Sequence, residues 1–229
     1  TANTTGAENT SVGATSLDAN TTGADNAAFG FNSLTTNTTG GSNVANGHQS
    51  LQSNTTGSSN VAVGRNALQA NTTASNNTGV GYKALEANTT GADNIAVGAQ
   101  SLDANTTGYQ NVAIGKDALT TNVTAHRSTA VGYEALKASN VSGDNFAYNT
   151  GLGFRTGLLL TTGTKNVFVG GNSGDACTTA SNNVAVGYDS LGGNTTGSDN
   201  TATGVDSLAA NTTGATNAAF GINSLYANT

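Results

Sequence analysis

The sequence predicts an all-β fold, a parallel β-solenoid built from 17-residue coils. The first observation behind this prediction is a pentad of the type Asn94-Ile95-Ala96-Val97-Gly98, which recurs thirteen times. Eleven of the twelve intervals between pentads have the same 17-residue step, and the remaining one has a 21-residue step. A fixed period of this size indicates a repeat fold in which each repeat is one structural unit. The second observation is composition: there are 31 Gly and no Pro, and stacked strands need the N–H that Pro lacks.

Each repeat begins with a short strand. An aliphatic, a small and a second aliphatic residue alternate in the pentad, as in Val61-Ala62-Val63, and this period of two is typical of a strand with one buried face. We expect the aliphatic residues and a later Leu to form the core, with Ala facing outward as a flat surface for close approach of another chain. The predicted core residues are Val61, Val63, Leu68, Ile95, Val97, Leu102, Val112, Ile114, Leu119, Val184, Val186 and Leu191.

Two turns complete the predicted coil. A Gly ends each pentad and turns the chain where a Cβ would obstruct it. A second short strand, ending on the Leu, is expected next, and an Asn-Thr-Thr-Gly tract closes the coil as a turn. The turn glycines are Gly13, Gly30, Gly64, Gly98, Gly115, Gly187 and Gly221.

Stacking of the coils predicts ladders of Asn side chains. Neighbouring coils lie about 4.8 Å apart in such a stack, so each residue lies above its equivalent in the next repeat. Amides in this arrangement satisfy one another from coil to coil. The predicted structural ladder comprises Asn9, Asn26, Asn43, Asn60, Asn77, Asn94, Asn111, Asn149, Asn166, Asn183, Asn200 and Asn217.

The repeats predict one domain over residues 1–229, with about 13 coils and one four-residue insertion within 137–149. The chain begins and ends inside a repeat, which indicates a segment of a longer fibre. Because inserted loops often carry function, the insertion is a candidate contact loop. Its candidate residues are Asn145, Phe146 and Tyr148.

Composition argues against several functions. Seven Lys and Arg against 13 Asp and Glu argue against nucleic acid as a partner. No apolar stretch is long enough to insert into a membrane. His48, His126 and Cys177 have no partners at the spacing of a metal site or a nucleophile–base pair, so we expect no enzyme activity, no metal and no cofactor.

The pentads at Asn60–Gly64, Asn111–Gly115 and Asn183–Gly187 resemble the repeat unit of YadA-like heads in trimeric autotransporter adhesins. The longer unit, with its Asn-Thr-Thr tract, is similar to repeat tracts of bacteriophage tail-fibre proteins. These resemblances imply a left-handed β-roll assembled as a homotrimer, located outside the cell on a cell surface or a virion tail fibre. A thin core in each coil independently favours several rolls packed along their length.

The resulting hypothesis is an extracellular structural and adhesive fibre segment that mediates attachment to cell surfaces, with host-cell surface glycans as partners. The main alternative is a non-adhesive extracellular filament or matrix protein, either with or without glycans on its Asn-Thr-Thr tracts. A further alternative is an ice-binding protein that uses Thr columns such as Thr21 and Thr22.

Overall fold

The computed structural model of the protein describes residues 3–142 and 146–228. It divides into two compact units, Thr1–Gln110 and Asn111–Thr229. Each unit is an all-β parallel β-solenoid with roughly 17-residue coils, and no helix occurs in the described ranges. The solenoid prediction is therefore confirmed; the handedness and the trimer remain predictions.

Every coil contributes one three-residue strand, and within each unit every strand pairs in parallel with the next along the chain. The pairing keeps repeat positions in register, so that Val61 lies beside Thr78. The first unit contains β1 (Thr10–Val12), β2 (Ala27–Phe29), β3 (Val44–Asn46), β4 (Val61–Val63), β5 (Thr78–Val80) and β6 (Ile95–Val97). The second contains β7 (Val112–Ile114), β8 (Thr129–Val131), β9 (Thr150–Leu152), β10 (Val167–Val169), β11 (Val184–Val186), β12 (Thr201–Thr203) and β13 (Ala218–Phe220).

The four-residue insertion leaves the strand register intact. Thr129 of β8 still pairs with Thr150 of β9, although the longer, 21-residue interval separates them. An isolated parallel bridge joins His126 to Phe146 just before these strands. The strands on either side of the longer interval therefore keep the pairing seen between the other repeats.

The prediction of a second strand in each coil is wrong, because the segment that ends on Leu consists of turns. Leu68 has a φ of +51°, a left-handed conformation that bends the chain too sharply for a strand. Its N–H nevertheless donates to the Ala84 carbonyl of the next coil at 2.9 Å, whereas the Ala67 N–H donates within its own coil to Gly64. Alternate residues thus join neighbouring coils without a second sheet.

The prediction of the core is wrong for the strand and right for the Leu segment. Ala62 and the other middle residues of β2 to β13 point inward and are buried, as are the four predicted core leucines Leu68, Leu102, Leu119 and Leu191. The flanking aliphatic residues point outward: of those predicted for the core, Val61 and Val112 are half-buried and the other six are exposed. The exposed residues that were expected in the core are Val63, Ile95, Val97, Ile114, Val184 and Val186.

The narrow coil interior explains this reversal. A Cβ added to Gly79, which occupies the inward position of β5, would lie 3.3 Å from Cγ of Leu68. The space between a strand and the facing Leu therefore admits Gly or Ala and no branched side chain. Because the strand period is two, placing the small residue inside puts both aliphatic neighbours outside.

One coil of the second unit fills this interior differently. Phe168 takes the inward place of β10 and is completely buried. Gly157 and Gly174 stand where other coils carry Leu, and a Cβ on either would lie within 3 Å of the Phe168 ring. One aromatic ring therefore occupies the space that two leucines fill elsewhere.

Candidate functional site

The outward side chains of the strands form an exposed surface on each unit, which we call the aliphatic face. It comprises the first and third residues of the strands, most of which are apolar, on either side of the middle residue. In the first unit Ile95 is 41% exposed and Val97 36%, and in the second unit Val186 is 37% exposed. Since neighbouring strands are about 4.8 Å apart, the aliphatic residues of successive strands lie side by side in runs, which Asn46 and several Thr interrupt. An apolar surface of this kind is typical of an interaction site.

The predicted Asn ladder lies inside the coils and supports the strands. The Asn60 Nδ2 amide donates to Oδ1 of Asn43 at 3.1 Å and to the Ala74 carbonyl at 2.9 Å. The Asn60 backbone N–H donates to the same Oδ1 at 3.0 Å. Each buried amide therefore links its own coil to the coils before and after it, which sets the strand register.

The Asn-Thr-Thr tracts of the first unit carry a second buried ladder. The Nδ2 of Asn54 donates to Oδ1 of Asn37 at 2.8 Å and to the Gly57 carbonyl at 2.9 Å. N-glycosylation would modify this same nitrogen, which is buried and already donates two hydrogen bonds. The folded coil therefore leaves no room for a glycan on Asn54.

The two threonines of a tract differ in what their hydroxyls can do. The Thr55 Oγ1 donates to the Thr72 carbonyl of the next coil at 3.0 Å, whereas the Thr56 side chain is exposed. Tracts with this sequence therefore expose a single column of Thr side chains along the stack. A flat surface with two adjacent Thr columns, as the ice-binding alternative requires, is not formed there.

Residues that follow the turn glycines project from a corner of each coil. In the first unit Phe31 stacks on His48 with ring centroids 5.4 Å apart. One repeat carries an ion pair between Lys83 Nζ and Glu86 Oε2 at 3.0 Å, which raises the pKa of Lys83. These side chains are solvent-exposed or half-buried.

The same corner of the second unit carries a denser group of charges, which we call the cationic corner: Glu134, Lys137 and Arg155. Glu134 Oε1 accepts from Lys137 Nζ at 2.6 Å, and its Oε2 lies 3.4 Å from Arg155 Nε. The hydrogen bond from Lys137 lowers the pKa of Glu134, and the same bond raises the pKa of Lys137. All three groups are charged at neutral pH, so the group has a net charge of +1.

Aromatic rings adjoin the cationic corner. Tyr133 and Phe154 stack nearly parallel, with centroids 5.6 Å apart and an interplanar angle of 11°. The Arg155 guanidinium lies 5.9 Å from the centre of the Phe154 ring, and Lys116 Nζ lies 5.7 Å from that of Tyr133. Both distances fall within cation–π range.

The candidate contact loop is an aromatic cluster around one guanidinium. Arg127 Cζ lies 4.4 Å from the centre of the exposed Phe146 ring, and Arg127 Nη1 donates to the Tyr148 hydroxyl at 2.9 Å. Asn145, the third residue predicted for this loop, lies outside the described residues.

The groups with catalytic potential are separated or buried. Burial raises the pKa of the Cys177 thiol to about 11, and Asn194 Nδ2 donates to its sulfur at 3.4 Å. A protonated, buried thiol is a poor nucleophile. Across residues 3–142 and 146–228, no group of three or more His, Cys, Asp or Glu is arranged to hold a metal ion. The same ranges contain no helix with the length and apolar character needed to cross a membrane.

Sequence reasoning missed the cationic corner, although composition held a signal for it. Five of the seven Lys and Arg fall within residues 116–165. They are Lys116, Arg127, Lys137, Arg155 and Lys165.

The architecture and these surfaces define the class of the protein as a parallel β-solenoid repeat protein with an exposed aliphatic face. Comparison with protein-family models, with curated proteins and with solved structures finds no match to the chain.

Proposed function

We propose that the chain is a structural and adhesive segment of an extracellular fibre, on a cell surface or a virion tail, in which three copies pack through their aliphatic faces. The observation that carries this proposal is the aliphatic face itself. Branched side chains such as Ile95 and Val97 are more than a third exposed in the single chain, while the interior holds Ala. Burying such columns between copies removes apolar area from water at about 25 cal/mol per Å².

The number three rests on the resemblance of the pentads to repeats of trimeric fibres, and the charge of the chain is compatible with it. A trimer would carry 3 × −6 = −18, which favours solubility. Its mechanism would be passive. Stacked coils supply stiffness, and weak contacts at the corners are multiplied by the copy number.

The test of assembly is the mass in solution by light scattering or mass photometry. A trimer has three times the chain mass of 22.4 kDa, and a stable species of 22.4 kDa would overturn the proposal. Val97→Glu places a charge in the aliphatic face and should shift the mass toward the monomer. Thr56→Glu adds the same charge at an exposed turn and should leave the trimer intact.

Attachment is tested separately with the assembled protein on a glycan array. Binding to a defined set of glycans supports the adhesive role. A trimer that binds none of them favours the alternative of a non-adhesive extracellular filament. The buried turn amides argue against the glycosylated form of that filament, and an intact mass above 22.4 kDa would contradict this argument.

A further inference from the structure

A cleft opens beside the cationic corner, within the second unit. It has a volume of about 320 Å³, at the lower end of the range for small-molecule sites. Lys137, Arg155 and Glu134 provide its charged side, and Leu158, Leu159 and Ala138 provide an apolar side. Leu159 is 50% exposed, so a ligand in the cleft can contact its apolar side chain.

The charged side of the cleft retains donors for an anion. Lys137 has three N–H donors and Arg155 has five, whereas Glu134 engages one Lys137 donor and approaches Arg155 only through Nε. The Lys137 side chain is 38% exposed and that of Arg155 44%, compared with 14% for Glu134. Solvent, and hence a ligand, reaches the two cations more readily than the carboxylate between them.

The equivalent place in the first unit lacks the net positive charge. Lys83 and Glu86 occupy the repeat positions of Glu134 and Lys137 with the two charges exchanged. Gln100 of the next coil stands where the second unit has Arg155. The three matching positions therefore have no net charge in the first unit and a net charge of +1 in the second.

We propose that the cleft binds the carboxylate of an acidic sugar, with Arg155 and Lys137 holding the carboxylate and the leucine side receiving the C–H face of the ring. Charge-assisted hydrogen bonds to a carboxylate are the strong, orienting contacts of this arrangement. The stacked rings of Tyr133 and Phe154 extend it with a flat aromatic surface beside Arg155. The choice of a sugar as the occupant rests on the proposed attachment function.

The experiment uses two ligands that differ only at the acidic group, methyl glucuronide and methyl glucoside, titrated against the assembled full chain by calorimetry or ligand-observed NMR. We expect the glucuronide to bind at least about tenfold more tightly, as the loss of a charged hydrogen bond implies. Arg155→Gln and Lys137→Gln should each reduce glucuronide binding about tenfold. Lys83→Gln, which removes the matching cation of the first unit, should leave binding unchanged.

Several results would overturn the inference. These are equal affinity for the two glycosides, full binding by Arg155→Gln, or an equal loss in Lys83→Gln. Acetate that displaces the glucuronide at equal concentration would reduce the cleft to a general anion site and remove the sugar from the proposal. The solution mass of every variant is measured alongside. A trimer that binds neutral glycans on the array, but not the glucuronide, would contradict this site and leave the proposed function standing.

Discussion

The interiors of the two units are filled in different ways. In the first unit the residues at the middle of the strands are all small, and every coil from Leu17 to Leu102 supplies one Leu opposite them. In the second unit Phe168 replaces the small residue, and glycines replace the leucines at 157 and 174. The large side chain can come from the strand or from the Leu segment, because packing depends on the total side-chain volume between them.

The ladder formed by the Asn of the Asn-Thr-Thr tracts also differs between the two units. Asn occupies its place throughout the first unit, whereas the second unit has Ser139, Leu160 and Cys177 in consecutive coils. These coils surround the insertion and the cationic corner. The Asn ladder is therefore interrupted in the coils that carry most of the candidate contact side chains.

The largest expected effect comes from Phe168→Ala in the second unit. Neither Gly157 nor Gly174 has a side chain to fill the resulting cavity, so we expect a loss of about 3–5 kcal/mol in the free energy of unfolding. Denaturant unfolding measures this loss. Leu159→Ala, at an exposed position, is the control and should cost much less. Similar losses in the two variants would show that the Phe168 ring does not support its coil.

Placing the Phe and Gly pattern of the second unit in the first unit tests the comparison directly. Ala62→Phe alone overfills a coil bounded by Leu51 and Leu68, and should cost about 3 kcal/mol. Adding Leu51→Gly and Leu68→Gly recreates the pattern around Phe168, and both positions have the positive φ that Gly adopts readily. We expect the triple variant to recover part of the lost stability in denaturant unfolding. A purely additive loss would mean that the swap depends on other features of the second unit.

The smallest expected effect concerns Cys177, the thiol in the interrupted ladder. Because the folded chain raises its pKa from 9.0 to about 11, its contribution to stability is complete below pH 9 and is lost as the pH rises through 11. A shift of this size corresponds to roughly 2–3 kcal/mol. Unfolding measured at pH 8 and pH 11 should show a larger decrease for the native chain than for Cys177→Ser. Parallel decreases would contradict burial of the thiol.

Much of the fold could be predicted from the 17-residue period. A repeat that places Asn60 above Asn43 predicts both the parallel stack and the amide ladder, because equivalent residues must meet. The burial of the leucines was also predictable, because a Leu recurs at the same position in most coils and its equivalents stack on one another. The stacking of Arg155 on Glu134 follows from the same rule, since each lies two residues after a turn Gly, but the cleft beside them depends on how the side chains of neighbouring coils pack.

The sequence by itself determined the coil, its length, the position of its turns and the residues that stack from repeat to repeat. Those features follow from periodicity and from the conformations open to Gly and Asn. The tertiary structure alone decided which face of the strand is inside. Alternation is symmetric between the two faces, and only the distance between strand and Leu segment shows that Ala fits and Val does not. That one decision places the aliphatic columns on the surface, where a partner can reach them.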